Sequence, residues 1–212
     1  RLHPRMRQQL RTHCLDLHCW NSFWASAALV REGREEAMRL AQGMALRFVR
    51  RSVPQAQPTV PCTLSSWFTD SGRTGLCVEF SGQYGLWERE ISRGERAVCN
   101  LFSLLDMIDA PAEGLQEEAV LVNDAQTTEV EAPCAGLFAA APLHTSSWIE
   151  EGTLMGHILR ADTLISVPLH APKAGWLYQF GACHAETSEH SMMWTHPAVA
   201  GGEVVAKLMR NP

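Results

Sequence analysis

No stretch of this 212-residue chain is apolar for long enough to span a bilayer, and no signal-peptide pattern is visible. Positive charge is scarce: 18 lysines and arginines stand against 23 aspartates and glutamates, a net charge of −5. No basic cluster is dense enough to suggest nucleic acid, and Arg47, Arg50 and Arg51 read as a solvent-facing helix end. There is no Cys-x-x-Cys pair, which argues against a thiolate zinc site. The seven cysteines, at 14, 19, 62, 77, 99, 134 and 183, are odd in number and scattered. That speaks for free thiols in a reducing, cytoplasmic setting over a disulfide framework. With 46% hydrophobic and 19% charged residues the composition is that of a globular protein, long enough for one large or two modest cores.

What is present begins with Leu15-Asp16-Leu17-His18-Cys19-Trp20, a short apolar run that reads as a central strand. Asp16 and His18 fall on one side of it, because side chains alternate along a strand. A histidine at the carboxyl end of such a strand can face a ligand crevice. On its own it reads more readily as a hydrogen-bonded core residue than as a ligand. Pro4 to Thr12 reads as the end of a helix, and Ala25 to Arg51 as an amphipathic helix with a break near Gly33. Ser52 to Pro61, with three prolines, is a loop, and Ser65 to Gly75 is a polar, Gly-containing loop.

Leu76 to Gln83 then reads as a buried parallel strand carrying one carboxylate, Glu79. Two readings stand at this point: a surface ion pair at a strand end, or a general base raised in pKa by burial. Ile91 to Ile108 is a second amphipathic helix. Ala110 to Glu118 is a linker by composition, so the domains are expected at 1–112, α/β, and 113–212, β-rich. In the second half Ala132-Pro-Cys-Ala-Gly136 recurs as Ala171-Pro-Lys-Ala-Gly175, each followed by a strand, a loop and an x-Gly turn (Gly152, Gly202). Two such halves predict a small β-sandwich of the biotinyl-domain type. Lys173 sits in the wrong half of the motif for a swinging arm. His144, His157, His170, His184, His190 and His196 follow no helical zinc spacing and read as surface residues.

The order of these parts resembles the succinylglutamate desuccinylase/aspartoacylase family, zinc amidohydrolases related in fold to zinc carboxypeptidases. The resemblance rests on Asp16-Leu17-His18, Val78-Glu79-Phe80-Ser81-Gly82, Asn100-Leu101-Phe102 and the Ala-Pro-x-Ala-Gly opening of the β-rich part. It implies an α/β fold: a partial carboxypeptidase-like sheet with flanking helices, then the β-sandwich. It also implies Zn2+ as cofactor, His18 as one zinc ligand, Asp16 as its supporting carboxylate and Glu79 as the general base that activates the attacking water. The implied reaction is hydrolysis of the amide bond of an N-acyl amino acid or similar small substrate, with neither nucleic acid nor membrane as partner. A homo-oligomer is compatible with it. The His-x-x-Glu that supplies the family's other two zinc ligands is absent here, as is the substrate-gripping Asn-Arg pair. Both precede the Asp-Leu-His strand in the family. A missing N-terminal part is therefore expected, and the chain alone is expected to bind zinc poorly. The alternative is a non-catalytic binding module built on the β-sandwich half.

Overall fold

Ala25-Ser26-Ala27-Ala28-Leu29-Val30 is a short run, apolar but for Ser26, too short for a buried helix, and a buried strand suits it. In the computed structural model, which describes residues 12–20, 24–52, 63–82, 88–114, 119–122, 126–181 and 198–210, it forms a strand. The expected single helix over Ala25 to Arg51 is corrected accordingly. Strand β2 (Ala27–Arg31) is followed by a turn at Gly33 (φ +76°), helix α1 (Glu35–Gly43) and strand β3 (Phe48–Ser52). Only Ala37, Leu40 and Ala41, spaced three and four apart, are buried on α1. The strands on either side read Ala-Ala-Leu-Val-Arg and Phe-Val-Arg-Arg-Ser, and pair in parallel.

A second correction concerns residues 65–75. Helix α2 (Leu64–Asp70) occupies most of the expected loop, and Thr63 caps it by accepting a hydrogen bond from the Ser66 N–H at 3.2 Å. The cap satisfies one of the first-turn donors that would otherwise lack a partner. Strand β4 (Thr74–Phe80) then begins directly beneath the helix. A Cβ at Gly75 would stand 2.0 Å from the Ser65 carbonyl oxygen, so glycine is what lets helix and strand approach. Helix α3 (Glu88–Leu104) agrees with the expected second helix, shifted by a few residues. The expected helix end over Pro4 to Thr12 and the loop over Ser52 to Pro61 lie almost wholly outside the described residues.

The two compact units are best taken separately. The first comprises Arg1–Cys19, Ser26–Phe80 and Leu86–Val122; the second Trp20–Ala25, Ser81–Gly85 and Asn123–Pro212. In the first, strand β1 (His13–Cys19) and strand β5 (Val120–Val122) complete a five-stranded sheet of order β1-β4-β2-β3-β5. β5 lies beyond the 112/113 boundary expected from composition. β1 stands at the sheet edge among the described residues, and β4 is parallel to β1 but antiparallel to β2. The sheet is thus mixed, where β1 was expected as a central strand and β4 as a purely parallel one. Its core joins Leu40, Met44 and Leu46 to Val49, Leu76, Val78 and Leu101. Burying each such side chain is worth about 1.5–3 kcal/mol. Buried Asn100 on α3 clamps the chain after the helix: its Nδ2 donates to the Glu113 carbonyl and its Oδ1 accepts from the Glu113 N–H, both at 2.7 Å.

The second unit holds two four-stranded sheets around one hydrophobic core. One sheet contains β7 (Gly136–Ala140), β9 (Leu154–Arg160), β10 (Ser166–His170) and β12 (Ala198–Val199). The other contains β6 (Thr127–Glu131), β8 (Trp148–Ile149), β11 (Gly175–Phe180) and β13 (Val204–Met209). The sequence repeat acquires a physical meaning here. Ala132 donates to the Glu203 carbonyl (2.8 Å) and accepts from the Gly202 N–H (2.8 Å). Ala171 donates to the Thr153 carbonyl and accepts from the Gly152 N–H, both at 2.9 Å. Each motif is therefore seated on the x-Gly turn that follows the other. Both turn glycines have φ of +81°, a backbone state that costs other residues about 1 kcal/mol or more.

Candidate active site on the first unit

β1 and β4 run in parallel with His18 paired to Glu79 and Asp16 to Cys77. Adjacent strands lie about 4.8 Å apart, and alternation puts residues of matching register on one face. Cys14, Asp16 and His18 therefore share a face with Gly75, Cys77 and Glu79. Both His18 and Glu79 sit at the carboxyl ends of their strands, where a crevice opens in α/β sheets.

His18 is exposed (53% of its side chain), whereas Asp16 below it is 17% exposed. His18 Nε2 and Asp16 Oδ1 are 3.0 Å apart. A carboxylate only accepts, so the ring proton belongs on Nε2 and the lone pair on Nδ1. This is the arrangement in which a carboxylate fixes the tautomer of a metal-binding imidazole.

Glu79 has the opposite character. Its Oε2 is buried and has no hydrogen-bond partner among the described residues. Burial pushes its carboxyl above the ordinary glutamate range; nearby His18 opposes that rise and Asp16 adds to it. A carboxyl held up in pKa, with one oxygen unspent, is suited to taking a proton near neutral pH. The thiols on the same face are poorly suited to act as nucleophiles. Burial, with Glu79 and Asp16 adding, pushes Cys77 up to about 12, and burial also raises Cys14.

A zinc ion needs more than this face offers. Catalytic zinc takes three protein ligands, and among the described residues no three His, Cys, Asp or Glu side chains gather as a metal site. The donor set fits one corner of such a site, the His18 Nδ1, and falls short of a whole one. His144, His157 and His170 are exposed on the second unit, and His184, His190 and His196 lie outside the described residues.

One polar cluster was not legible in the sequence. Glu90, on the first turn of α3, has only 9% of its side chain exposed and accepts from the Ser26 hydroxyl at 2.5 Å. It also pairs with Arg93, itself 14% exposed. Glu90 lies just before the helix expected over Ile91 to Ile108, Arg93 lies within it, and nothing in the sequence marks either charge as covered. Only the tertiary position of Ser26, just before β2, reveals that they are covered.

No family model matches the chain, and no curated protein matches it in sequence. Solved structures do. Over 93% of its length it superposes on a succinylglutamate desuccinylase/aspartoacylase from Rhodobacter sphaeroides (TM-score 0.61, 19% identity), covering 58% of that chain. An aspartoacylase family protein from Mesorhizobium loti gives a TM-score of 0.59 at 17% identity, with 95% of this chain and 63% of that one covered. The ectoine utilization protein EutE (DoeB) from Ruegeria pomeroyi gives 0.61 at 12%, with 93% and 60% covered. The chain thus has the fold of this family over most of its own length, while spanning about three-fifths of each of these relatives. The resemblance found in the motifs is present in three dimensions.

Proposed function

We propose that the first unit carries the proton-transfer half of an amide-hydrolysing centre acting on an N-acyl amino acid or similar small substrate. Glu79 is the general base and His18 one of the zinc ligands. The observation that carries this is the unpartnered, buried Oε2 of Glu79 in register with a histidine whose tautomer is fixed. Glu79 takes the proton of the attacking water and returns it to the leaving amine, a role that wants a carboxyl pKa near the working pH. Asp16 holds the His18 ring in the orientation that leaves Nδ1 available. Zinc, when bound, supplies Lewis-acid polarisation of the amide carbonyl and of water. Among the described residues this reading assigns zinc a single ligand, His18. The fold shared with the named desuccinylase/aspartoacylase structures supports the substrate class.

Turnover of N-acyl amino acids and zinc content, measured on the same folded preparations carrying the full ligand set, test the assignment. Glu79→Gln keeps size and an acceptor oxygen but no basicity, so turnover falls by roughly 100-fold or more while zinc stays bound. His18→Ala removes a ligand and loses both. Near-full turnover in Glu79→Gln would refute the proposed base.

A further inference from the structure

The first two turns of α3 present Glu88, Arg89, Ser92, Arg93 and Arg96 around one open depression of about 540 Å³. Their spacing is that of a single helix face. Three guanidiniums thus converge on a concave surface with one lining carboxylate, Glu88, among the described residues. The other nearby carboxylate, Glu90, is turned inward and already engaged by Ser26 and Arg93. Arg89 finds no oxygen of Glu90 closer than 3.9 Å, and Arg96 has no ion pair among the described residues.

A solvated helix stripe would have its arginines exposed and mobile. Arg93 is neither: it is mostly buried and held by Glu90. Burial lowers its proton affinity; Glu90 opposes that fall, while Arg89 and Arg96 add to it. Like charges at i, i+4 and i, i+3 destabilise a helix until something neutralises them. The planar guanidinium fork matches the oxygens of a phosphate or carboxylate group. Ser92 adds a hydroxyl donor, and the helix's first turns add the positive end of its dipole. The volume falls in the range of small-molecule sites.

From this convergence we infer that α3 carries a binding site for a small polyanion bearing phosphate or carboxylate groups, with Arg89 and Arg96 as its adjustable arms and Arg93 as its fixed floor. The site stands apart from the zinc-ligand and general-base roles of His18 and Glu79, and it holds whether or not that reading does.

Calorimetric titration of the 212-residue chain at low salt tests it, with inorganic pyrophosphate and citrate as separate probes. At least one should bind saturably with a dissociation constant below about 1 mM, and should raise the thermal midpoint as it does so. Pyrophosphate alone would mark a phosphate site, citrate alone a polycarboxylate site, and both a site that reads charge and fork geometry. Arg89→Ala/Arg96→Ala should weaken binding by about tenfold or more. Arg96→Lys, which keeps charge and helix but loses the fork, should weaken it less. Arg39→Ala, on α1 and paired with Glu36, should leave it unchanged. No saturable heat from either probe up to about 10 mM would overturn the proposal. So would equal losses in the Arg39 and Arg96 variants, which would mean diffuse charge rather than a site.

Discussion

The two units of this chain solve the same problem in opposite ways. In the β-rich unit a sequence motif used twice seats itself twice, and paired backbone hydrogen bonds close each motif on the other's turn. In the α/β unit nothing repeats. The sheet is mixed, a covered ion pair sits on the first turn of a helix, and a carboxylate oxygen at the end of β4 is buried without a partner. Symmetry marks where the chain is built for packing. Buried side-chain oxygens without a partner among the described residues occur in both units, Glu79 Oε2 in the first and Ser146 Oγ and Gln179 Oε1 in the second, but in the first unit the oxygen stands in register with a histidine at a strand end.

The largest expected effect breaks the symmetry of the β-rich unit. A Cβ at Gly136 would stand 2.3 Å from the Leu159 carbonyl oxygen, whereas at the equivalent Gly175 its nearest neighbour would be 3.1 Å away. Gly136→Ala should therefore cost about 3 kcal/mol by overpacking against backbone, and Gly175→Ala clearly less. Urea unfolding of both variants reads the difference; equal costs would mean that the halves are packed alike after all.

Next comes the clamp in the α/β unit. Asn100→Ala removes two hydrogen bonds and strands both backbone groups of Glu113, for roughly 2 kcal/mol. Limited proteolysis should then cut at residues 110–118 faster than in the wild type. That segment is proposed as the first cleavage site of the intact chain, and a first cut elsewhere would count against it. Thr63→Ala, losing the α2 cap, should cost about 1 kcal/mol by the same unfolding measurement.

The last effect is one of sign. Because the folded-state pKa of Glu79 is raised, the stability it allows is fully present below the ordinary glutamate range and is lost as pH rises through the raised value. Glu79→Gln escapes that loss. The variant should be more stable than wild type at pH 7, and the gap should close as the pH is lowered through the acid range. A variant less stable at pH 7 would mean that Glu79 is well paired in the folded state.

How much of this could be read from residues alone follows physical lines. β1, β4, α3 and the duplicated motif were legible because each is a local pattern: an apolar run, a helical period, a repeated string. The region from Ala25 to Arg51 was not. Its apolar residues recur near 3.6 because two short strands flank a short helix, and periodicity alone cannot separate a buried strand from a buried helix. α2 was misread because its composition is that of a loop; the informative residue was Thr63, placed three before Ser66 to cap it. The register of His18 with Glu79 depends on strand pairing, which the sequence only suggests through the order of its motifs. The covering of Glu90 and Arg93 depends on Ser26, which belongs to another element altogether.

The reciprocal seating of the two Ala-Pro motifs also bears on how the molecule comes into being. Ala132 rests on Gly202 and Glu203, while Ala171 rests on Gly152 and Thr153. A ribosome delivers these segments in numerical order. The second motif meets its turn soon after it emerges, but the first must wait, unseated, until almost the whole β-rich unit has been made. Closure of this unit is therefore a late event governed by a long loop, which slows folding far more than it lowers stability. Until then the apolar side chains of β7 and β9 lack the strands that cover them, and this interval is when the chain is most exposed to aggregation.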